Sequence, residues 1–293
     1  MKSPRDLAIS VTLGLVACMT DAAFAADQSV SSLSTRSLAS VKDGKGTLLE
    51  TLTWIEAEKV LTLDTVVVIA LGAQSKEHGP HLKLANDFLI AEYLKNRVLQ
   101  VANVVVAPTI NYHFYPAFVE YPGSTGLRQD TARDLVIDIV KSLSAFGPRR
   151  FYIANTGVST VRALQPAAEA LKREGILMHF TNILTIAAEA EKSVSQQEGG
   201  THADEIETSM MLYIAPETVD MSKAVKDYHG KGAGGFTRNP KKPGIYSPTG
   251  SWGDPTLATR EKGRVLVEAV VAGTLRDVEV LRAAPLPGKE GAK

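Results

Sequence analysis

The sequence predicts an α/β protein built on a mostly parallel sheet with helices on both faces, and three observations carry that expectation. Residues Thr65 to Leu71 read Thr-Val-Val-Val-Ile-Ala-Leu. Such an unbroken β-branched run suits a strand buried on both sides, whereas a half-solvated strand would alternate apolar with polar residues. Strand-like runs then alternate with helix-like segments down the chain, the order that βαβ units require. Finally, Lys76-Glu77-His78-Gly79-Pro80-His81-Leu82-Lys83-Leu84-Ala85-Asn86-Asp87 lies between that first strand and a helical pattern. A loop at the carboxyl end of a strand is where open α/β sheets bind ligands.

The elements follow in order. Leu48 to Leu61 places Leu52, Ile55, Val60 and Leu61 around Trp54 and predicts a short amphipathic helix. Thr65 to Leu71 is the first strand, Asp87 to Leu99 a helix and Val101 to Pro108 the next strand. Asn111 to Leu127 is an aromatic loop carrying Tyr112, His113, Phe114, Tyr115, Phe118 and Tyr121 ahead of Pro122-Gly123. It reads either as a substrate-side loop, with His113, Tyr115 and Ser124 as contacts, or as ordinary aromatic packing. Ala132, Leu135, Val136, Ile139, Val140 and Leu143 predict a helix over Asp130 to Phe146, ended by Gly147-Pro148. Arg150 to Asn155 predicts a third strand, Val161 to Glu174 a helix and Ile176 to Leu184 a fourth strand. Thr201 to Ile214 predicts a helix or a helix start. Residues 225–257 are rich in Gly, Pro, Lys and Asp, and irregular stretches of that length are usually functional or oligomer-forming. Leu257 to Arg282 predicts a C-terminal helix, and residues 286–293 a loose tail. With no internal repeat and no compositional break, residues 48–285 are expected to form one domain.

Composition narrows the function. The chain has 293 residues, 44% apolar and 22% charged, with a formal net charge of zero. There is no basic surplus for nucleic acid and no polybasic run for anionic lipid. A small-molecule substrate is the expected partner. The first 26 residues read as a secretory leader: Lys2 and Arg5 head an apolar stretch from Leu7 to Met19, and Ala23-Phe24-Ala25 is a small-x-small cleavage site. The apolar stretch is too short to span a bilayer comfortably. Leu15-Val16-Ala17-Cys18 also resembles a bacterial lipobox, which would make Cys18 a lipidated first residue. Either processing exports the protein, to the periplasm or beyond. Cys18 is the single cysteine, so no intrachain disulfide is expected. Residues 27–47 are Ser-, Gly- and Lys-rich and predict a flexible arm.

Two constellations carry the chemistry. In the opening loop, His78, His81 and Asp87 are candidate ligands, since imidazole and carboxylate close together suit Zn²⁺ or Mn²⁺. Further on, His202-Ala203-Asp204-Glu205-Ile206-Glu207-Thr208-Ser209 opens a helix. Glu207 lies four residues after Ala203 and can face the sheet end, and His202 stands at the helix mouth where a catalytic base can sit. The plain alternative is a solvated acidic helix start, which the macrodipole favours.

Together these motifs resemble the creatininase (creatinine amidohydrolase) family. That family carries Glu-Gln-His-Gly-Pro-His-Leu-Pro-Leu-x-x-Asp after its first long strand, matched here by Glu77-His78-Gly79-Pro80-His81-Leu82 with Asp87. The family's His-Ala-Gly-Glu-x-Glu-Thr-Ser is matched by His202 to Ser209, and its Phe-Pro-Gly-Thr by Tyr121-Pro122-Gly123-Ser124-Thr125. Its late Gly-Asp-Pro…Ala-Thr…Glu-Lys-Gly resembles Gly253-Asp254-Pro255, Ala258-Thr259 and Glu261-Lys262-Gly263. The resemblance implies a three-layer αβα fold, often assembled as a hexamer. It implies a binuclear Zn/Mn centre and hydrolysis of an amide C–N bond in a small cyclic or formyl amide. By position, His78 and Asp87 match metal ligands and Glu207 an acidic residue that completes the centre. His202 matches a histidine that shuttles a proton to the leaving nitrogen, and His81 becomes a supporting, substrate-side residue.

Two departures bear on the metals. The family's metal-binding Glu lies two residues before the His, where this chain has Lys76; Glu77 holds the neighbouring Gln position and becomes a ligand only if a bulge turns it inward. The family's Asn-Gly-His-Gly-Gly-Asn supplies another His ligand, where this chain reads Asn155-Thr156-Gly157-Val158-Ser159-Thr160. The expectation is therefore a reduced centre with one ion on His78, Asp87 and Glu207, and the Lys76 ammonium in place of the second, serving also as an electrophile. A catalytically inactive binding protein and a metal-dependent lactone or sugar-acid enzyme are the competing readings.

Overall fold

The computed structural model describes residues 45–228 and 234–288. The leader, most of the 27–47 arm and the end of the tail lie outside them. The described residues form one unit, around five parallel strands: β1 (Thr47–Leu48), β2 (Val66–Leu71), β3 (Val105–Ile110), β4 (Arg150–Asn155) and β5 (Leu177–Phe180). Their spatial order is β1-β3-β2-β4-β5. Every residue of β2 is buried, as its unbroken apolar run demands for a central strand with both faces covered.

The covering helices are α1 (Trp54–Val60), α2 (Asn86–Val101), α3 (Gln129–Ser144), α4 (Val161–Arg173), α5 (Ala188–Val194), α6 (Glu205–Ile214) and α7 (Arg260–Ala283). One core joins Val67, Ile69 and Leu71 to Val136 and Val140 of α3 and Leu164, Ala167 and Leu171 of α4. A second core joins Ile90 and Leu94 of α2 to Met210 and Met211 of α6 and Leu266, Val267 and Val270 of α7. The two cores give the three-layer αβα arrangement. Among the described residues no helix is long and apolar enough to cross a membrane.

Several elements differ from expectation, each for a local reason. The helix expected over 48–61 is a strand, a 3₁₀ turn at Leu49–Thr51 and then α1. A capping box between Thr53 and Glu56 starts α1, and the side that packs is Ala57 and Val60. Trp54 and Ile55 are exposed. Thr47, assigned to the arm, pairs with Val105 at the sheet edge. The strand expected to reach Leu184 stops at Phe180, and α5 was not anticipated. The irregular 225–257 stretch contains a two-strand ladder, β6 (Phe236–Thr237) with β7 (Ile245–Tyr246). The register irregularity lies between β2 and β3, where Ile69 pairs with Ala107 but Leu71 with Ile110. The extra residue is in β3, beside Pro108, which cannot donate to a ladder; it is not the bulge that would turn Glu77 inward.

Chain order places the chemistry. β2 leads through β3 on one side and, after α3, to β4 on its other side, so the carboxyl ends of β2 and β4 flank a switch in winding direction, the usual ligand crevice. The late Glu-Lys-Gly motif clamps this region. Glu205, fully buried, forms an ion pair with Lys262 and accepts the backbone N–H groups of Gln196 and Gln197 at 2.8 and 2.7 Å. Gly263 lets α7 lie directly on α6: a Cβ there would collide with the Ser209 carbonyl. Gly263→Ala is therefore expected to destabilise by about 2 kcal/mol or more, overpacking outweighing the better helix propensity of alanine. Thermal unfolding checks this, and an unchanged midpoint contradicts it.

Candidate active site

The loop after β2 is held inside the protein: Lys76, Glu77, His78 and Asp87 are all buried. The Lys76 ammonium lies 2.7 Å from Asp87 Oδ2, and His78 Nε2 lies 2.7 Å from Asp87 Oδ1. His78 Nδ1 is 3.0 Å from the Lys76 carbonyl. A carbonyl only accepts, so Nδ1 donates there and Nε2 is left facing a carboxylate oxygen. Two lone-pair atoms that close need a proton or a metal ion with them. Burial raises the Asp87 carboxyl, but the Lys76 and His78 charges and hydrogen bonds outweigh it and hold it well below the usual carboxylate range.

Glu77 turns the opposite way. Its N–H donates to Ser124 Oγ at 2.9 Å and its carboxylate accepts the Gly79 N–H. Its Oε2 meets His202 Nε2 at 3.1 Å. The carboxylate rests on Gly250, whose φ of +84° and missing side chain are both required: a Cβ would occupy the carboxylate's place. Burial raises the Glu77 carboxyl, but the His202 charge and hydrogen bond, the Gly79 N–H and the His78 charge bring it below its ordinary value.

His202 is set by the start of α6. Its carbonyl accepts the Trp252 N–H at 2.8 Å. Ala203 then takes φ +49°, a conformation costly outside glycine and found where a site needs it. The Ala203 N–H donates to Glu207 Oε2 at 2.6 Å, and Asp204 caps the helix by accepting from the Ile206 and Glu207 N–H groups, both at 3.0 Å. The His202 ring packs at a tilt against Phe118 at 4.2 Å and His78 at 4.8 Å between centroids, and its Nδ1 lies 3.6 Å from Glu207 Oε2. Burial disfavours a charged His202, yet Glu77 and then Glu207 outweigh burial and raise its pKa.

One donor atom each from His78, His202 and Glu207 lies within 4.8 Å of the others. Lys76, His202 and Glu207 line a cavity of about 210 Å³ whose remaining wall is largely apolar. The structure thus brings His78, His202, Glu207 and Lys76 to one place. Asp87 stands behind His78, and Glu77 stands behind His202 instead of among the donors. The expected substrate-side residues take other positions. His81 Nε2 bonds Thr208 Oγ1 at 2.8 Å, and burial pushes its pKa down to about 4. His113 is buried, with its pKa likewise about 4. Tyr115 is sealed beneath the Lys76 ammonium, 5.6 Å from its ring centroid, and Ser124 supports the Glu77 backbone. None of these four is among the described residues that line the cavity; Phe118, Thr156, Ser159 and Arg162 are. Sequence reading missed Asp204, whose carboxyl is raised to about 6 by burial and the Glu207 charge. The signal was present, since the resemblance has Gly at that position.

A doubly covered parallel sheet, with imidazoles and carboxylates converging beyond its strand ends, defines an α/β protein with a metal-ready centre. A sequence model of creatininase, described as creatinine amidohydrolase, matches residues 50–278. The creatinine amidohydrolase of Pseudomonas putida is 27% identical over 248 residues, 78% of this chain and 95% of that protein. The mycofactocin precursor peptide peptidase of Mycobacterium ulcerans (strain Agy99) is 27% identical over 217 residues, 70% of this chain and 81% of that protein. A solved structure titled creatininase Mn superposes with a TM-score of 0.70 at 23% identity, covering 82% of this chain and all of the other. The chain belongs to the creatininase family of metal-dependent amidohydrolases.

Proposed function

We propose that the protein hydrolyses a C–N amide bond of a small cyclic or formyl amide with one divalent ion per chain, zinc or manganese. The observation that carries this is the clustering of donor atoms of His78, His202 and Glu207 within 4.8 Å of one another, with Asp87 Oδ1 beside His78 Nε2 and Lys76 on the second oxygen of Asp87. His78 and Glu207 would hold the ion together with Asp87, whose Oδ1 already meets His78 Nε2: one imidazole and two carboxylates form a catalytic set that leaves a position open. The chemistry such an ion supplies is water activation and carbonyl polarisation.

The chain's own residues do the rest. Lys76 presents an ammonium at the cavity wall, where it balances Asp87 and can donate to a carbonyl oxygen as charge develops. His202 moves a proton from water to the leaving nitrogen through Nδ1, while Glu77 on Nε2 stabilises the charged ring that forms in between. Phe118 fixes the ring plane. The leader-like sequence of the first 26 residues supports export, and the family resemblance supports assembly as a hexamer.

Metal analysis of the purified protein, paired with turnover of cyclic amides, formamides and lactones, tests this reading. One equivalent of metal and amide turnover are expected. Two equivalents would overturn the single-ion centre. Turnover of lactones alone would overturn the C–N assignment, and ligand binding with no turnover would make the chain a binding protein.

A further inference from the structure

The cavity extends from the polar centre along Ile183, Leu184, Ile206, Met210 and Val270. Its charged lining residues are mostly paired. Lys76 is held by Asp87, Asp204 by Gln197 and the α6 N–H groups, and Glu207 by Ala203. Arg162, exposed at the second position of α4, is different. Its backbone is engaged, its N–H donating to Ser159 and its carbonyl accepting from Gln129 because Pro166 lacks the N–H that would reach it. Among the described residues its guanidinium has no carboxylate partner. Among the described residues Glu191 is the other charged group without a side-chain partner on this wall; it lies toward Glu207, whose charge, after burial, helps raise its pKa. It would repel an anion at that end. Val158 and Leu184, both about half exposed, add apolar surface, and exposed apolar surface continuous with a pocket marks a ligand path.

We propose that the substrate is an N-acyl amino acid with an apolar side chain: its amide meets Lys76, His202 and Glu207, its side chain lies on the Ile183–Met210 wall, and its carboxylate pairs with Arg162. This rests on the amidohydrolase reading above and adds a carboxylate requirement that the reading alone lacks. A guanidinium matches a carboxylate with two parallel hydrogen bonds, and Arg162 lines the same cavity as Lys76, His202 and Glu207. Hydrolysis adds water across the acyl C–N bond: hydroxyl goes to the acyl carbon, and the proton to nitrogen, which leaves as the free amino acid.

The test compares N-formyl-L-leucine with N-formyl-L-leucinamide, which differ in the carboxylate. Wild type should prefer the acid by about tenfold or more in kcat/KM, mostly through KM, the scale of a charged hydrogen bond. In Arg162→Gln the preference should fall to near unity, and Arg162→Lys should restore part of it. Equal use of both substrates by wild type, or a preference that survives Arg162→Gln, would overturn the proposal. If wild type cleaves neither, calorimetric binding of N-formyl-L-leucine decides. Binding that Arg162→Gln abolishes keeps the carboxylate site while the hydrolase reading fails, and no binding to wild type refutes the site.

Discussion

Lys76→Met is expected to cost about 3–5 kcal/mol of stability at neutral pH, because it strips the buried Asp87 carboxylate of the ammonium at 2.7 Å. Side-chain exposures of 6% for Lys76 and 1% for Asp87 mean that water replaces little of that interaction. The sign with pH follows from the depressed Asp87 carboxyl. A folded pKa below the unfolded value of about 4 contributes stability that is fully present above pH 4 and is lost as pH falls through the folded value. The gap between variant and wild type should therefore be widest at neutral pH and shrink in acid. Lys76→Glu tests the charge from the other side: two adjacent carboxylates beside His78 would then need a second divalent ion, so its stability should rise on adding Zn²⁺ or Mn²⁺ well beyond wild type. Urea unfolding at pH 7 and pH 3, with and without metal, measures all three. A loss under about 1 kcal/mol for Lys76→Met, or a gap that does not change with pH, would contradict the central place given to this ion pair.

Lys76 also shows how far the sequence could be read. Its position in the motif was enough to raise the expectation of an ammonium at the centre, and its Nζ lies 2.7 Å from Asp87 Oδ2. The β2 run and the alternation of strands and helices were enough for the layered sheet, since burial on both faces leaves little room for polar residues. Glu77 was not legible. Its direction depends on Gly250, far along the chain and inside a Gly- and Pro-rich stretch without periodicity. Trp54 and Ile55 misled for a related reason: their spacing fits a helix, but a local capping box starts that helix and only Ala57 and Val60 find the core. His113 and Tyr115 are buried outside the cavity lining because aromatic loops pack as readily as they bind, and the cavity distinguishes Phe118 from them. Arg162 carried no motif at all; its meaning comes from a guanidinium with no carboxylate partner among the described residues, in a wall where most other charges are paired.

The largest loss of activity is expected at the donors themselves. Glu207→Gln keeps the shape of the side chain, and its amide oxygen can still accept the Ala203 N–H now bonded at 2.6 Å, so folding should be nearly unchanged. The negative charge is lost, however, and with it the proposed ligand and a neighbour of His202 Nδ1. A fall in kcat/KM on the order of 10³-fold is expected, with metal content reduced in parallel. His78→Ala should match that loss and add a stability cost, because Asp87 Oδ1 loses its partner inside the protein. The two effects should not add. If both residues serve one ion, removing either empties the centre, and the double variant should be scarcely worse than the more damaging single one. Kinetics on the three variants, with metal quantified by mass spectrometry on the same preparations, decides the matter. Full multiplicative loss in the double variant would mean that His78 and Glu207 act at separate ions, and the single-ion centre would have to be abandoned.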